Sequence, residues 1–234
     1  MNLKLMLFLL PGIFLFHSVS DNLKFSVKSN NYPKSESTEN SYVEFYSQLN
    51  DPGLSFEGMK LALAGLEKIK KEYPDLNNDL ITIIDYSRPS TAKRLYVIDF
   101  TKSAIVFKTY VAHGKNSGLN HAGSFSNRIS SHESSLGFYI TGSTYNGKHG
   151  YSLRLKGIEE KINDNAMKRA IVMHSANYVS ENFIESYGRL GRSFGCPAVP
   201  VENHRFLIDL IKNNTCLFVY YPDINYLSVS RYIK

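Results

Sequence analysis

Two short stretches carry the side chains best suited to covalent chemistry. In GRLGRSFGCPAVP, residues 188–200, Cys196 stands between Gly195 and Pro197, and it is one of only two cysteines in the chain. A glycine before the thiol and a proline after it predict a tight turn with uncommitted backbone N–H groups, which can face a developing oxyanion. In RAIVMHSANYVS, residues 169–180, His174 ends an apolar run, where a strand would deliver an imidazole to the edge of a sheet. A thiolate rather than a thiol attacks, and a neighbouring imidazole can hold it as an ion pair or take its proton. The two residues are distant in sequence, so the helix and loop between them must fold back for them to meet.

A cysteine has other fates. Cys216 lies in the apolar run NTCLFVYY, where a small buried residue is expected, and with two cysteines in the chain a Cys196–Cys216 disulfide is the competing reading. A zinc site is disfavoured: no two cysteines and no two histidines stand at close ligand spacing. His204, in VENHRFLIDL, is expected on a helix in a solvated or capping role.

The elements that must position these groups follow from the hydrophobic pattern. The 234 residues, 43% hydrophobic and 21% charged, suffice for one catalytic domain with a modest appendage. Residues 1–20, with Lys4, an apolar run from Leu5 to Phe16 and small residues near Ser20, are read as a cleaved secretory signal, with a retained membrane anchor as the weaker alternative because the run is short for a span. Residues 21–40 are polar, without an apolar period, and are read as a flexible linker. Residues 41–75 are expected as a helical N-terminal extension, because Phe56, Met59, Leu63, Leu66 and Ile69 recur at helical steps before Pro74; 76–234 is the catalytic domain.

Within that domain the pattern is mainly β. Strands are expected at 80–87, 94–100, 104–112, 136–141, 151–155, 170–174 and 216–221, with helices at 164–169, 180–187 and 202–212. Many short strands with peripheral helices predict a mostly antiparallel sandwich or barrel. The formal net charge of +6 is mild and includes no long basic block or basic–aromatic stripe, so nucleic acid is not an expected partner.

The segments VMHSANYVS and GRLGRSFGCPAVP together resemble the L,D-transpeptidase catalytic domain, the YkuD-like cysteine enzymes of bacterial peptidoglycan, in the branch whose motif ends Gly-Arg-Ser-x-Gly-Cys-Pro. YVAHGKNSG (110–118), FSNRISSHESSLGFYITG (125–142) and YNGKHGYSLRLKGIEEKINDNAMKRAIVMH (145–174) are similar to further signatures of that branch, a likeness covering roughly 80–221 and not 21–75. The resemblance implies the YkuD-like β-sandwich or barrel, with Cys196 as nucleophile and His174 as general base. Ser175 would orient the imidazole through its carbonyl, Gly195 and Cys196 would supply oxyanion N–H groups, and Ser193 matches the hydroxyl residue of the motif. Where many members have a histidine before the glycine and an arginine two after the cysteine, this chain has Phe194 and Ala198, so Arg192 and Arg189 are the candidate carboxylate-binding residues. Asn177, Tyr178, Tyr139, His149 and Ser152 are further candidates for lining the cleft.

The activity so implied is acyl transfer on peptidoglycan stem peptides through a Cys196 thioester, with release of terminal D-alanine and transfer to an amine in a 3-3 cross-link or to water. It needs no metal or organic cofactor, takes place in the cell envelope, and exposes the enzyme to carbapenems. The alternatives at this stage are a noncatalytic envelope-binding module with a Cys196–Cys216 disulfide, and a cysteine peptidase or amidase of other specificity.

Overall fold

The computed structural model of the chain describes residues 39–234; the expected signal at 1–20 and the expected linker up to residue 38 lie outside them. Helix α1, Glu39–Leu49, buries Tyr42, Phe45 and Leu49, which share one face at helical spacing. Helix α2, Phe56–Glu72, is capped by the Ser55 side chain, which accepts from the Gly58 N–H, and ends with Lys70 and Lys71 in its last turn. Its stripe of Met59, Ala62, Leu63, Leu66 and Ile69 is fully buried.

Two glycines on that stripe explain how closely α2 docks. A Cβ at Gly65 would lie 2.1 Å from the Phe138 ring, and one at Gly58 would lie 2.8 Å from the Tyr220 ring. Each helical glycine costs about 1 kcal/mol. Each large apolar side chain of the stripe contributes about 1.5–3 kcal/mol on burial, so the close approach wins.

Strands β1 (Asn77–Asp85), β2 (Leu95–Asp99), β3 (Ala104–Thr109), β4 (Gly137–Gly147), β5 (Gly150–Gly157) and β6 (Val172–Ser175) follow. Then come α3 (Glu181–Tyr187), β7 (Ala198–Val199), α4 (His204–Ile211), β8 (Thr215–Tyr220) and α5 (Ile224–Val229). They form one sheet in the order β3-β2-β1-β8-β4-β5-β6-β7. Most pairings are antiparallel, but β1–β8 and β6–β7 are parallel. Central β8 is buried along its whole length, as a strand covered on both faces must be.

Beyond β3 the chain runs across to the opposite edge, where Ala112 bridges Ala198 of β7, so the sheet curls until its two ends meet. The fold is thus mainly β with peripheral helices, in the sandwich or barrel class expected. The side chains of α1, α2, α4 and α5 join those of the sheet in one continuous core, with Phe138 and Phe218 stacked 4.2 Å apart at its centre.

Three local expectations are corrected. Residues 164–169 form consecutive turns rather than a helix, and the Asn165 N–H donates to Asn127 Oδ1 at 3.1 Å instead of to its own segment. Asn163 Nδ2 donates to Leu136 O at 3.0 Å and Phe138 O at 2.9 Å, and Asp164 Oδ1 accepts from the Lys161 N–H at 3.0 Å. The short β7 and the C-terminal α5 were not expected from the pattern. The second is tied down by buried Glu159, which accepts from the Phe138 N–H at 2.7 Å, the Tyr226 hydroxyl at 3.2 Å and the Ser230 hydroxyl.

Candidate active site

The parallel pairing of β6 with β7 brings the two chemical stretches together. His174 pairs with Ala198 and Ser175 with Val199, which sets the turn carrying Cys196 beside the strand carrying the imidazole. Buried Val172 and Met173 seat β6, and the preceding residues reach the thiol: Cys196 Sγ accepts from the Val172 N–H at 3.5 Å and donates to Ala170 O at 3.6 Å. The polar partners of the thiol are thus backbone atoms of the segment that enters β6.

The turn itself is clamped by Ser193. Its hydroxyl donates to Cys196 O at 2.6 Å and accepts from the Gly195 N–H at 3.0 Å. Its own N–H donates to His113 O at 3.0 Å, and its carbonyl accepts from the Lys115 N–H at 2.8 Å. Gly195 has φ +118°, and a Cβ there would lie 2.8 Å from Glu133 O, so only glycine fits. This corrects one expectation: the Gly195 N–H is spent inside the turn and does not face an incoming oxyanion. The Cys196 N–H forms no hydrogen bond among the described residues.

The electrostatics hold both reacting groups neutral at rest. Burial pushes the Cys196 thiol up, against the smaller opposing pulls of the Val172 N–H and the Arg169 guanidinium. His174, 3% exposed, is held below the usual imidazole range by burial, which outweighs the hydrogen bond from Nδ1 to Ser175 O at 2.9 Å. Because a carbonyl can only accept, Nδ1 carries the hydrogen and the Nε2 lone pair is left as the base. The preformed ion pair is replaced by a neutral thiol and a neutral imidazole, because separating charge in a buried site costs more than the pair returns.

Arg169 is the residue that pattern reading missed. It was read as the end of a helix, whereas its guanidinium donates to Ser126 O and Ser135 Oγ, each at 2.6 Å, to Ser131 Oγ at 3.2 Å and to Glu133 O at 2.6 Å. One side chain therefore gathers the 126–135 loop against the nucleophile turn, and its charge favours the thiolate. Its position directly before the apolar run of β6 was the signal in the sequence.

Below the turn lies a second buried cluster. Arg94 is fully buried; its Nε and Nη2 donate to Val111 O at 3.1 and 2.9 Å and its Nη1 to Arg88 O at 2.7 Å. Nη2 also lies 2.8 Å from His113 Nδ1, which must accept because arginine has no acceptor. His113 is thereby fixed as the Nε2–H tautomer, and burial and Arg94 push it down to about 4. Tyr86 lies under the Arg94 guanidinium at 4.8 Å and donates to Ala112 O at 3.2 Å.

The remaining candidates fall in different places. Arg192 Nη1 donates to Lys115 O at 2.9 Å and Gly118 O at 3.1 Å, tying the 115–118 segment to the nucleophile turn, and Arg189 Nη1 donates to Leu190 O at 2.8 Å; both side chains stay partly exposed. Tyr139 is buried, its hydroxyl on Ser135 O at 3.1 Å, and Ser152 is buried with its hydroxyl on Gly150 O at 3.0 Å; neither lines an open cleft. Asn177 is exposed beyond β6. Tyr178 is close enough to Cys196 for the thiol's charge to contribute to raising the phenol, with burial the larger cause, to about 12. His149 stacks on His174, ring centroids 4.2 Å apart at 21°. Phe194, 66% exposed, stands at the rim with His132 at 4.6 Å and the Lys115 ammonium 4.6 Å from its ring.

Both cysteines are free, with Cys216 fully buried in β8 between Ile81 and Ile140, so the disulfide of the binding-module alternative is not formed. Among the described residues no three His, Cys, Asp or Glu side chains converge on a metal-sized site, and no helix is long and apolar enough to cross a membrane.

Comparison with known proteins adds a family. The family described as the L,D-transpeptidase catalytic domain matches residues 50–220. The match begins inside the expected helical extension, earlier than the motifs reach, because α2 contributes a hydrophobic period rather than a motif. No curated protein matches the chain. Among solved structures, the chain is similar to an L,D-transpeptidase from Mycobacterium smegmatis at 12% identity and TM-score 0.39, covering 61% of this chain and 59% of that one. It is similar to the helical cell shape determining protein Pgp2 from Campylobacter jejuni at 15% identity and TM-score 0.40, covering 68% and 56%. An L,D-transpeptidase from Xylanimonas cellulosilytica aligns at 12% identity and TM-score 0.39, covering 82% and 98%. The chain thus spans about three fifths of the length of the first of these structures.

Proposed function

The chain belongs to the L,D-transpeptidase catalytic-domain family, and from that premise we propose that it is an exported cysteine acyltransferase acting on peptidoglycan stem peptides. The observation that carries this reading is the β6–β7 pairing, which sets a free, partly exposed Cys196 beside a His174 whose Nδ1 is tied to Ser175 O.

In the first half-reaction Cys196 Sγ attacks the carbonyl carbon of the third stem residue while its proton passes to His174 Nε2. Concerted transfer suits a pair held neutral at rest. The oxyanion of the tetrahedral intermediate is stabilised by the uncommitted Cys196 N–H. Collapse breaks the amide bond, His174 returns the proton to the leaving nitrogen, and D-alanine departs from the thioester. In the second half an amine of another stem gives its proton to His174, attacks the thioester carbon and releases the thiol, forming a cross-link between third residues. Water in place of the amine gives L,D-carboxypeptidase activity. Cleavage of residues 1–20 and action in the cell envelope are part of the proposal.

The test is intact-mass spectrometry after exposure to a carbapenem. A single covalent adduct on the native chain, absent from Cys196→Ala, is the expected result. An adduct that survives the substitution, or none on a correctly folded native chain, overturns the mechanism.

A further inference from the structure

We propose that His149 is a positioning residue for the base: its imidazole, carried on the β4–β5 hairpin, is a stacking plate that sets the plane of the His174 ring and shields one of its faces from water. This deepens the acyltransferase reading and rests on it.

The geometry of the hairpin is what makes the stack possible. Gly147 pairs with Gly150 around Lys148 and His149, and Gly150 has φ +72°, the left-handed position that glycine fills at the end of such a loop. The Ser152 hydroxyl braces the turn through Gly150 O at 3.0 Å. Arg154 lies over the Tyr145 ring at 4.4 Å and donates to Ser143 Oγ at 3.3 Å, so the arms of the hairpin are cross-linked below the tip. The tip thereby holds an otherwise exposed ring 4.2 Å from a ring that is 3% exposed.

His174 needs this second constraint. Its one hydrogen bond, from Nδ1 to Ser175 O, fixes that nitrogen but not the plane of the ring about it. The stack with His149 is its one ring contact among the described residues, and it removes that freedom. The chain carries Phe194 where many relatives have a histidine before the glycine of the motif, and the second imidazole of this site comes from the hairpin instead.

When His174 takes the thiol proton it becomes a cation against the aromatic face of His149. Of the charged side chains on neighbouring elements, Arg154 stands on the paired β5 opposite Val172, and Arg169 stands just before β6. Both arginines are committed to the partners described above.

The experiment compares His149→Ala and His149→Phe with the native chain and His174→Ala, all checked for folding by near-ultraviolet circular dichroism. The readout is the rate of Cys196 alkylation by iodoacetamide against pH, which needs no natural substrate; fully buried Cys216 is the internal control. The expected result is about a tenfold loss in His149→Ala, with the acidic limb moved to higher pH as His174 meets water, and recovery to within about threefold in His149→Phe. The His174 Cε1–H resonance, titrated by NMR, should report the same displacement. A His149→Ala profile identical to the native one overturns the proposal, and so does a His149→Phe variant as impaired as His149→Ala, which would make the imidazole's hydrogen bonding the essential property. A native profile that His174→Ala leaves unchanged instead overturns the Cys196–His174 pair, and the stacking role with it.

Discussion

The face of the sheet beneath α2 and the end of the sheet that carries Cys196 are held by different forces. Under α2 the contacts are apolar: Met59, Leu63, Leu66 and Ile69 meet β strands, and Gly65 lets Phe138 press against the helix backbone. Around Cys196 the contacts are directional: Ser193, Arg169 and Asn163 hold loops by hydrogen bonds to named backbone atoms. Apolar packing is non-directional and adds up over area, so it supplies stability. Hydrogen bonds from side chain to backbone add little net energy but fix geometry, which is what a nucleophile and its base require.

That contrast can be broken most severely at the thiol. Cys196→Ala should lower acylation by a carbapenem by roughly a thousandfold or more while leaving the melting temperature nearly unchanged, since it removes one partly exposed sulfur. A large drop in melting temperature would show that the turn is a stability element after all.

The next largest effect concerns pH. His113 is neutral in the fold, pushed from 6.5 to about 4, so between these values the unfolded chain takes up a proton that the folded chain refuses. Stability from this group is therefore present above pH 6.5 and is lost as pH falls toward 4, by up to about 3 kcal/mol. Asp85 and Glu159, whose carboxyls burial pushes up, act in the opposite sense: the folded chain keeps protons that the unfolded chain has released. Comparing denaturant unfolding of the native chain and His113→Asn at several pH values isolates the histidine, and equal pH slopes would contradict its assignment as buried and neutral.

Two smaller effects should separate the regions cleanly. Gly65→Ala forces a methyl into the Phe138 ring and should cost about 1–3 kcal/mol of stability, seen as a lower urea midpoint, with Cys196 alkylation unchanged. Arg169→Ala should do the reverse. It removes a cation that favours the thiolate and frees the 126–135 loop, so alkylation at neutral pH should slow by about tenfold and limited proteolysis should find the loop, with a modest change in midpoint. If each variant altered both readouts equally, the two regions would be one cooperative unit.

The same division decided what could be read from the sequence. The α2 stripe and the strands were legible because burial on one face imposes a period of 3.6 or 2 whatever the partner. Cys196 and His174 were legible by residue type and neighbours, in segments whose likeness to a family is specific. Arg169 was not, because its four acceptors lie between Ser126 and Ser135, far back along the chain. Arg192 was a cleft candidate from its place in the motif and Tyr139 and Ser152 from segments similar to the family's, yet each turns a polar atom onto a backbone carbonyl. Gly58 and Gly65 add nothing to the hydrophobic period, and only the rings of Tyr220 and Phe138, from β8 and β4, give them a purpose. The parallel β6–β7 contact was invisible for the same reason: β7 has two residues and no period.

The bridge between Ala112 and Ala198 bears on when the molecule becomes reactive. It joins the chain just beyond β3 to the strand just beyond the nucleophile, so it closes one of the longer loops in the fold, and such contacts form late because their entropy is lost before they return any energy. The same closure makes the bonds of Ser193 to His113 O and from the Lys115 N–H, so the turn that carries Cys196 is fixed only when the closure is made. A newly made chain would then carry Cys196 as an ordinary cysteine, and its reactivity would arrive only with the completed barrel. Pulse alkylation during refolding would read this directly, as a burst of Cys196 labelling that lags the recovery of β-sheet circular dichroism.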